Sequence, residues 1–186
     1  MNTRVIIAAI AALLPAVAFA QASPRDITPA PKEVSVSDGT VVWPFSVEVY
    51  LGDRDFRRRV YHLPEFAHKE AYEIIVSRDG VVINAVTDKS LFYAKNSLAQ
   101  MIAASDTLSC CHIIDYPEKE VRPRDVFVNE YDRTLDRVLL HLEMARFAKN
   151  NVLRIHGNKD AYPASEHARV DELAKQYFVE PVWIND

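Results

Sequence analysis

The sequence predicts two regions of different fold class: a two-layer α+β domain, followed by an incomplete (β/α) barrel. Three observations support this division. Short β-rich runs dominate up to Asp115, one amphipathic helix interrupts them, and strands alternate with helices after Pro117. Hydrophobic residues make up 49% of the 186 residues, which is enough to bury a core.

Turn residues separate the strands of the first region. Asp79-Gly80 lies between two β-rich runs, and this dipeptide is a strong hairpin signal. A helix is expected next, with Asp88 or Ser90 as its N-cap, because Leu91, Ala94, Leu98, Met101 and Ile102 recur on one helical face. The predicted strands are 34–36, 41–43, 47–51, 70–77, 81–86 and 110–114. Several strands under one helix make a two-layer α+β domain.

After Pro117 the pattern changes to strand, helix, strand, helix, strand. Such alternation implies parallel strands joined by right-handed helical crossovers. The predicted elements are strand 125–129, helix 134–149, strand 151–156, helix 165–176 and strand 182–184. A complete TIM barrel takes about 250 residues, and this region supplies about two and a half βα units. We therefore expect an α+β domain in residues 21–117 and a truncated TIM-barrel fragment in residues 118–186.

Glycine, cysteine and charge exclude several classes of protein. The four glycines lie too far apart for a nucleotide-binding loop or a GxSxG elbow. The net charge of −4 argues against a nucleic-acid binder. Cys110 and Cys111 are adjacent, without a CxxC motif, and the six histidines include no HExxH. No metal or cofactor is therefore expected, and we interpret both cysteines as core residues of a strand.

The first twenty residues have the pattern of a secretory signal peptide. Arg4 precedes an apolar run at 5–14, and Ala18-Phe19-Ala20 is a small-x-small cleavage site. The run is shorter than the roughly 20 residues of a membrane-spanning helix, so no membrane span is expected. We expect cleavage after Ala20 and a secreted or periplasmic protein.

Four segments of the first region occur together in one known domain. They are Ile-Thr-Pro-Ala-Pro-Lys at 27–32, the hairpin runs at 70–76 and 80–85, the helix from Leu-Phe-Tyr-Ala at 91–94 to Leu-Ala-Gln-Met-Ile at 98–102, and Ile-Asp-Tyr-Pro at 114–117. Together they resemble the accessory domain of secreted β-N-acetylhexosaminidases of glycoside hydrolase family 20. The last segment matches that family's junction to a catalytic barrel.

The resemblance also implies where a sugar binds in the second region. The family's first barrel strand carries Arg-Gly and then Asp-x-x-Arg, whose arginine holds sugar hydroxyls. Arg122 and Arg124 are both candidates here, and either is otherwise a surface arginine. Asn151-x-x-x-x-His156 with Asp160 has the spacing of the family's Asn…His-Leu-Thr-Asp-Asp segment. The implied substrate-binding residues are Arg124, His156 and Asp160, although a loop histidine is often merely solvated.

The related family 84 is a close rival. Lys159-Asp160 followed by Tyr162, and Val182-Trp183, resemble its Lys-Asp-Asp-Pro-Tyr and Val-Trp segments. Trp183 is then either a sugar-stacking residue or, as for most strand tryptophans, part of the core.

Hydrolysis in these families is substrate-assisted. The sugar's 2-acetamido oxygen attacks the anomeric carbon, while the protein supplies a polarising carboxylate and a general acid. The resemblance places this adjacent pair on the fourth barrel strand, which the sequence does not reach. Asp171-Glu172 is instead interpreted as a solvated helix face, so no catalytic residue is assigned.

The function implied by the resemblance is hydrolysis of terminal β-linked N-acetylhexosamine from glycans, with this chain as an N-terminal portion that lacks the catalytic pair. Two alternatives stay open: a non-catalytic secreted glycan-associated or interaction module, and the product of an interrupted gene. The open barrel strands also predict self-association or a partner chain.

Overall fold

The computed structural model describes residues 22–129, 131–132 and 134–185, so the predicted signal peptide lies outside the described residues. The chain divides into two compact units between Glu118 and Lys119. Within the described ranges, no helix is both long and apolar enough to cross a membrane.

The first unit is built on a mixed five-stranded sheet. Its strands are β1 (Glu33–Val42), β2 (Val47–Leu51), β3 (Tyr72–Ser77), β4 (Gly80–Ala85) and β5 (Thr107–Asp115). They lie in the order β1-β5-β3-β4-β2, and every neighbouring pair is antiparallel except β2 and β4. The predicted hairpin is confirmed, because Ser77 pairs with Gly80 across a two-residue turn.

Gly80 is required at the start of β4 for two reasons. Its φ of +139° lies in a region that residues with a Cβ rarely adopt. A Cβ there would also lie 2.6 Å from the backbone oxygen of Ser46, which accepts a hydrogen bond from the Val81 N–H. The hairpin is thus joined closely to the segment that leads into β2.

Helix α3 (Asp88–Ala104) covers one face of this sheet. Its apolar positions pack with the alternating side chains of β3 and β4. The main core consists of Ile74, Val76, Val81, Ile83, Tyr93, Ala94, Leu98, Met101, Leu108 and Ile113, among others. The N-cap is Thr87 and not Asp88 or Ser90, because Thr87 is the last extended residue before the helix. Ser90 completes a capping box by accepting a hydrogen bond from the Thr87 N–H at 2.8 Å.

The other half of the first unit differs from the prediction. The two short strands expected at 34–36 and 41–43 are the halves of β1, which has a register shift between Val36 and Thr40. Two unpredicted helices follow β2, namely α1 (Arg54–Arg59) and α2 (Glu65–Glu70). Glu70 therefore ends a helix and does not begin a strand. Six residues are too few for a helical period to be visible in the sequence.

The adjacent cysteines are buried and free, as interpreted from the sequence. They point to opposite faces of β5, and only Cys111 belongs to the main core. Burial, with a smaller effect of Cys110, raises the pKa of the Cys111 thiol to about 11. A thiol with this pKa is protonated at neutral pH and therefore unreactive.

The second unit contains three parallel strands and two helices. Its elements are β6 (Pro123–Phe127), α4 (Asp136–Ala148), β7 (Val152–His156), α5 (Ala164–Gln176) and β8 (Glu180–Ile184), with sheet order β6-β7-β8. The expected parallel pairing is confirmed. Strand β6 begins two residues earlier than predicted, because the Arg122 N–H donates to Asn151 Oδ1 at 2.7 Å and the Asn151 N–H to the Arg122 oxygen at 3.1 Å.

One buried carboxylate ties the two helices of the second unit together. Glu166, in the first turn of α5, accepts a hydrogen bond from the Leu135 N–H at 2.8 Å, at the beginning of α4. It also accepts one from Arg169 at 2.7 Å. These bonds satisfy a backbone donor that the helix itself leaves unpaired.

Candidate functional site

Side chains alternate between the two faces of the sheet in the second unit. Val126, Leu153 and Ile155 are buried on the face covered by α4 and α5. Their neighbours in sequence therefore point to the opposite side, which we call the open face. The open face is defined by Asp125, Phe127, Arg154 and His156.

Asp125 is the centre of the polar contacts on the open face. Its Oδ2 accepts a hydrogen bond from Arg154 Nη2 at 2.7 Å, and its Oδ1 accepts one from His156 Nε2 at 2.8 Å. The hydrogen bond from Arg154, and then that from His156, lowers the pKa of the Asp125 carboxyl. Asp125 is therefore ionised at neutral pH. Because a carboxylate only accepts, the proton of His156 lies on Nε2.

Phe127 extends this cluster with an exposed aromatic ring. The ring stacks on His156 with centroids 4.4 Å apart and 19° between the planes, and Phe127 is 62% exposed. An aromatic surface beside a few oriented polar groups is the usual composition of a small-molecule site. The open face can thus offer an apolar platform, a guanidinium and a carboxylate to one ligand.

Arg124 lies on the helix-covered face, together with Val126 two residues later. Its Nη2 is 3.1 Å from Sδ of Met144 in α4. The structure does not bring Arg124 together with His156, and its substrate-binding role stays a prediction. Arg122, the other candidate, is used within the fold. Its Nε donates to the Lys149 oxygen at 2.8 Å, next to the end of α4.

Asp160 lies beyond the same strand end as His156, in a short 3-10 turn. Its backbone N–H donates to Asn158 Oδ1 at 3.0 Å, and the residue is exposed. Trp183 of β8 packs against His167 of α5, with ring centroids 5.4 Å apart. This contact places Trp183 on the helix-covered face and agrees with the packing alternative.

Three of the four open-face residues were not identified as site residues from the sequence, namely Asp125, Phe127 and Arg154. Strand alternation was the available signal, because each of them lies two positions from another residue of the open face on the same strand. No three histidine, cysteine, aspartate or glutamate side chains gather into a metal site in the described part of the chain. Asp171 and Glu172 are exposed on α5 and do not face this cluster.

Comparison with known proteins identifies part of the chain. Residues 51–116 match the family model for glycosyl hydrolase family 20, domain 2. A search of the curated proteins gave no match.

Solved structures with similar folds extend over both units. The chitobiase of Flavobacterium johnsoniae has 17% identity and a TM-score of 0.66, with 85% of this chain and 34% of that chain covered. The exo β-N-acetylglucosaminidase of Vibrio harveyi in complex with N-acetylglucosamine has 15% identity and a TM-score of 0.65, with 91% of this chain and 37% of that chain covered. CpGH84B has 18% identity and a TM-score of 0.62, with 84% of this chain and 36% of that chain covered.

At these identities the similarity concerns the fold alone, and the chain spans about a third of the length of these three structures. The match of residues 51–116 is more specific, and it covers α1, α2, β3, β4, α3 and β5. The matched range also includes three of the four resembling segments of the sequence, apart from Pro117 at the end of the last one. Residues 51–116 of this chain are therefore similar to domain 2 of glycosyl hydrolase family 20.

Proposed function

We propose that this chain is the N-terminal portion of a β-N-acetylhexosaminidase-type glycoside hydrolase acting on terminal β-linked N-acetylhexosamine in glycans. The observation that carries the proposal is the match of residues 51–116 to domain 2 of family 20. In this proposal the second unit is the beginning of the catalytic barrel. The acid pair of the reaction lies on a strand that this sequence does not include.

The role proposed for the second unit is to bind sugar without cleaving it. Sites of (β/α) barrels lie at the carboxyl ends of the strands, where His156 ends β7 and Phe127 ends β6. We propose that Phe127 packs against the pyranose ring, while Asp125 and Arg154 bind hydroxyl groups. His156, which Asp125 holds in place, is proposed to form one further hydrogen bond with the sugar. Asp160 is proposed to contribute from the turn after β7.

The experiment combines a hydrolysis assay with a binding titration. The chain should not cleave 4-nitrophenyl N-acetyl-β-D-glucosaminide, because general acid catalysis alone is worth roughly 10²- to 10⁴-fold. Titration of the ¹⁵N-labelled chain with N-acetylglucosamine should shift the amide signals of β6 and β7. His156→Ala should weaken this binding roughly five- to tenfold, as expected for one lost hydrogen bond.

Lys175→Ala is the control, because Lys175 is exposed on α5 and does not belong to the open face. It should leave the affinity for N-acetylglucosamine unchanged. Equal losses in both variants would contradict the assignment to the open face. Hydrolysis that co-purifies with the chain and is lost in His156→Ala would contradict the proposed absence of the catalytic pair.

We further propose that the protein is exported, with cleavage after Ala20. The support is the n-region, apolar run and small-x-small site of the first twenty residues. The intact mass of protein recovered from its host should correspond to a chain that begins at Gln21. A mass that includes residues 1–20 would contradict both the cleavage site and the compartment.

A further inference from the structure

A second candidate site lies in the first unit, between the sheet and helix α3. It is a cavity of about 260 Å³ at the β2 edge of the sheet. Its lining consists of Trp43, Val47, Val49, Ile83, Lys95, Leu98, Ala99 and Ile102. None of these residues belongs to the open face of the second unit.

The cavity follows from the sizes of the side chains that face each other. Val47 and Val49 lie two positions apart on β2, and Val49 pairs with Ile83 of β4, so these three side chains share one face. The helix presents positions 95, 98, 99 and 102 to them at helical spacing. Ala99 lies in the middle of that stripe, and its methyl group is too short to fill the space above the valines.

The chemistry of the lining is apolar with one cation. Lys95 is the only charged residue of the lining, and its ammonium group has no ion-pair partner within the described residues. Trp43 forms one wall and is held by an edge contact with Phe45, with ring centroids 5.0 Å apart. An apolar cavity with one oriented charge favours a ligand that has a hydrocarbon body and an anionic end.

We propose that this cavity binds a small amphiphilic carboxylate, with the hydrocarbon chain between β2 and α3 and the carboxylate on Lys95 Nζ. The volume corresponds to about eight or nine groups, taking roughly 30 Å³ for each by comparison with a water molecule. An eight-carbon acid is therefore the probe of matching size. Charge complementarity with Lys95 distinguishes the acid from the alcohol of the same length.

The test uses the fluorescence of Trp43. The sequence has two tryptophans, so the titrations are made in a Trp183→Phe background, in which Trp43 is the only one left. Octanoate should produce a saturable change in the emission of Trp43. Lys95→Gln should weaken octanoate binding roughly three- to fivefold, the effect of a partly exposed ion pair, and should change octanol binding less than about twofold.

Ala99→Leu should abolish binding of both probes, because the larger side chain occupies the cavity. Ala103→Leu is the matched control, since Ala103 is exposed on the same helix outside the lining. If thermal unfolding shows that Ala99→Leu does not fold, Val49→Phe fills the cavity from the strand side. Octanoate binding that survives a folded, filled variant would overturn the proposal, and so would the absence of saturable binding to the parent chain.

Discussion

Glu73 is a fully buried carboxylate on the sheet face opposite α3. Its Oε1 accepts hydrogen bonds from Arg59 Nη1 and His112 Nε2, both at 2.6 Å, and its Oε2 accepts from Arg59 Nη2 at 2.8 Å and Asn84 Nδ2 at 2.6 Å. Burial raises the pKa of Glu73, but the hydrogen bonds from Arg59, Asn84 and His112 together lower it, and the net pKa is below its usual value. Glu73 is thus stabilised in its ionised form.

The lowered pKa of Glu73 predicts how the stability of the first unit depends on pH. A carboxyl group whose pKa is lower in the folded than in the unfolded chain stabilises the fold above the unfolded pKa, about 4.3 for glutamate. That stabilisation is lost as the pH falls from this value through the folded pKa. We expect Glu73→Gln to lower the free energy of unfolding by about 1–3 kcal/mol at neutral pH, and to differ less from wild type at low pH. Urea unfolding at a series of pH values measures both effects.

Glu33→Gln provides the control, because Glu33 is exposed on the edge strand β1. Its free energy of unfolding should follow the wild type at every pH. If the difference between Glu73→Gln and wild type is the same at pH 3 and pH 7, the buried carboxylate is not the origin of the pH dependence.

In the candidate site, the face on which each side chain lies follows from strand alternation, but the contacts between strands do not. Val126 is buried on the helix-covered face, and Arg124 has the same parity along β6. Strand alternation therefore places Arg124 toward the helices and Asp125 on the other face. The contact of Asp125 with Arg154 was not visible, because it depends on the register between two strands 29 residues apart.

Among the secondary-structure elements, those with strong local signals were predicted correctly in kind. The Asp79-Gly80 turn and the apolar face of α3 fix their structures through neighbouring residues. The parallel strands of the second unit were also expected, because strands alternate with helices there. Strand β6 begins earlier than predicted, because its first residue is determined by the hydrogen bonds between Arg122 and Asn151. The β-propensity of residues 125–129 does not determine it.

Helices α1 and α2 were missed because tertiary contacts stabilise them. Phe56 of α1 is fully buried, and it packs in a small cluster with Val60, Ala71 and Val86. The Asp53 side chain caps α1 by accepting a hydrogen bond from the Phe56 N–H at 2.8 Å. Helices this short are marginal in isolation, so their presence depends on that cluster.

The two units of the molecule differ in the apolar surfaces that they expose. The first has its own core between sheet and helix. In the second, β6 and β8 are edge strands of the described sheet, and the open face exposes Phe127. Helix α4 also exposes Leu140, Met144 and Phe147, at 60%, 44% and 40%, at the spacing of one helical stripe. Unpaired strand edges beside an apolar stripe favour association with another chain.

Two outcomes are expected for the purified chain without its first twenty residues. Limited proteolysis should cut after about Pro117 and leave a resistant core near residues 27–115, because the first unit buries its own apolar surface.

Light scattering coupled to size-exclusion chromatography should show self-association that increases with concentration. Phe147→Glu should reduce this association, whereas Tyr61→Glu, at a more exposed aromatic residue of the first unit, should not, because Tyr61 lies outside the stripe. A monomer that resists proteolysis uniformly would mean that the second unit closes its own edges, and the proposal of an open barrel fragment would then be wrong.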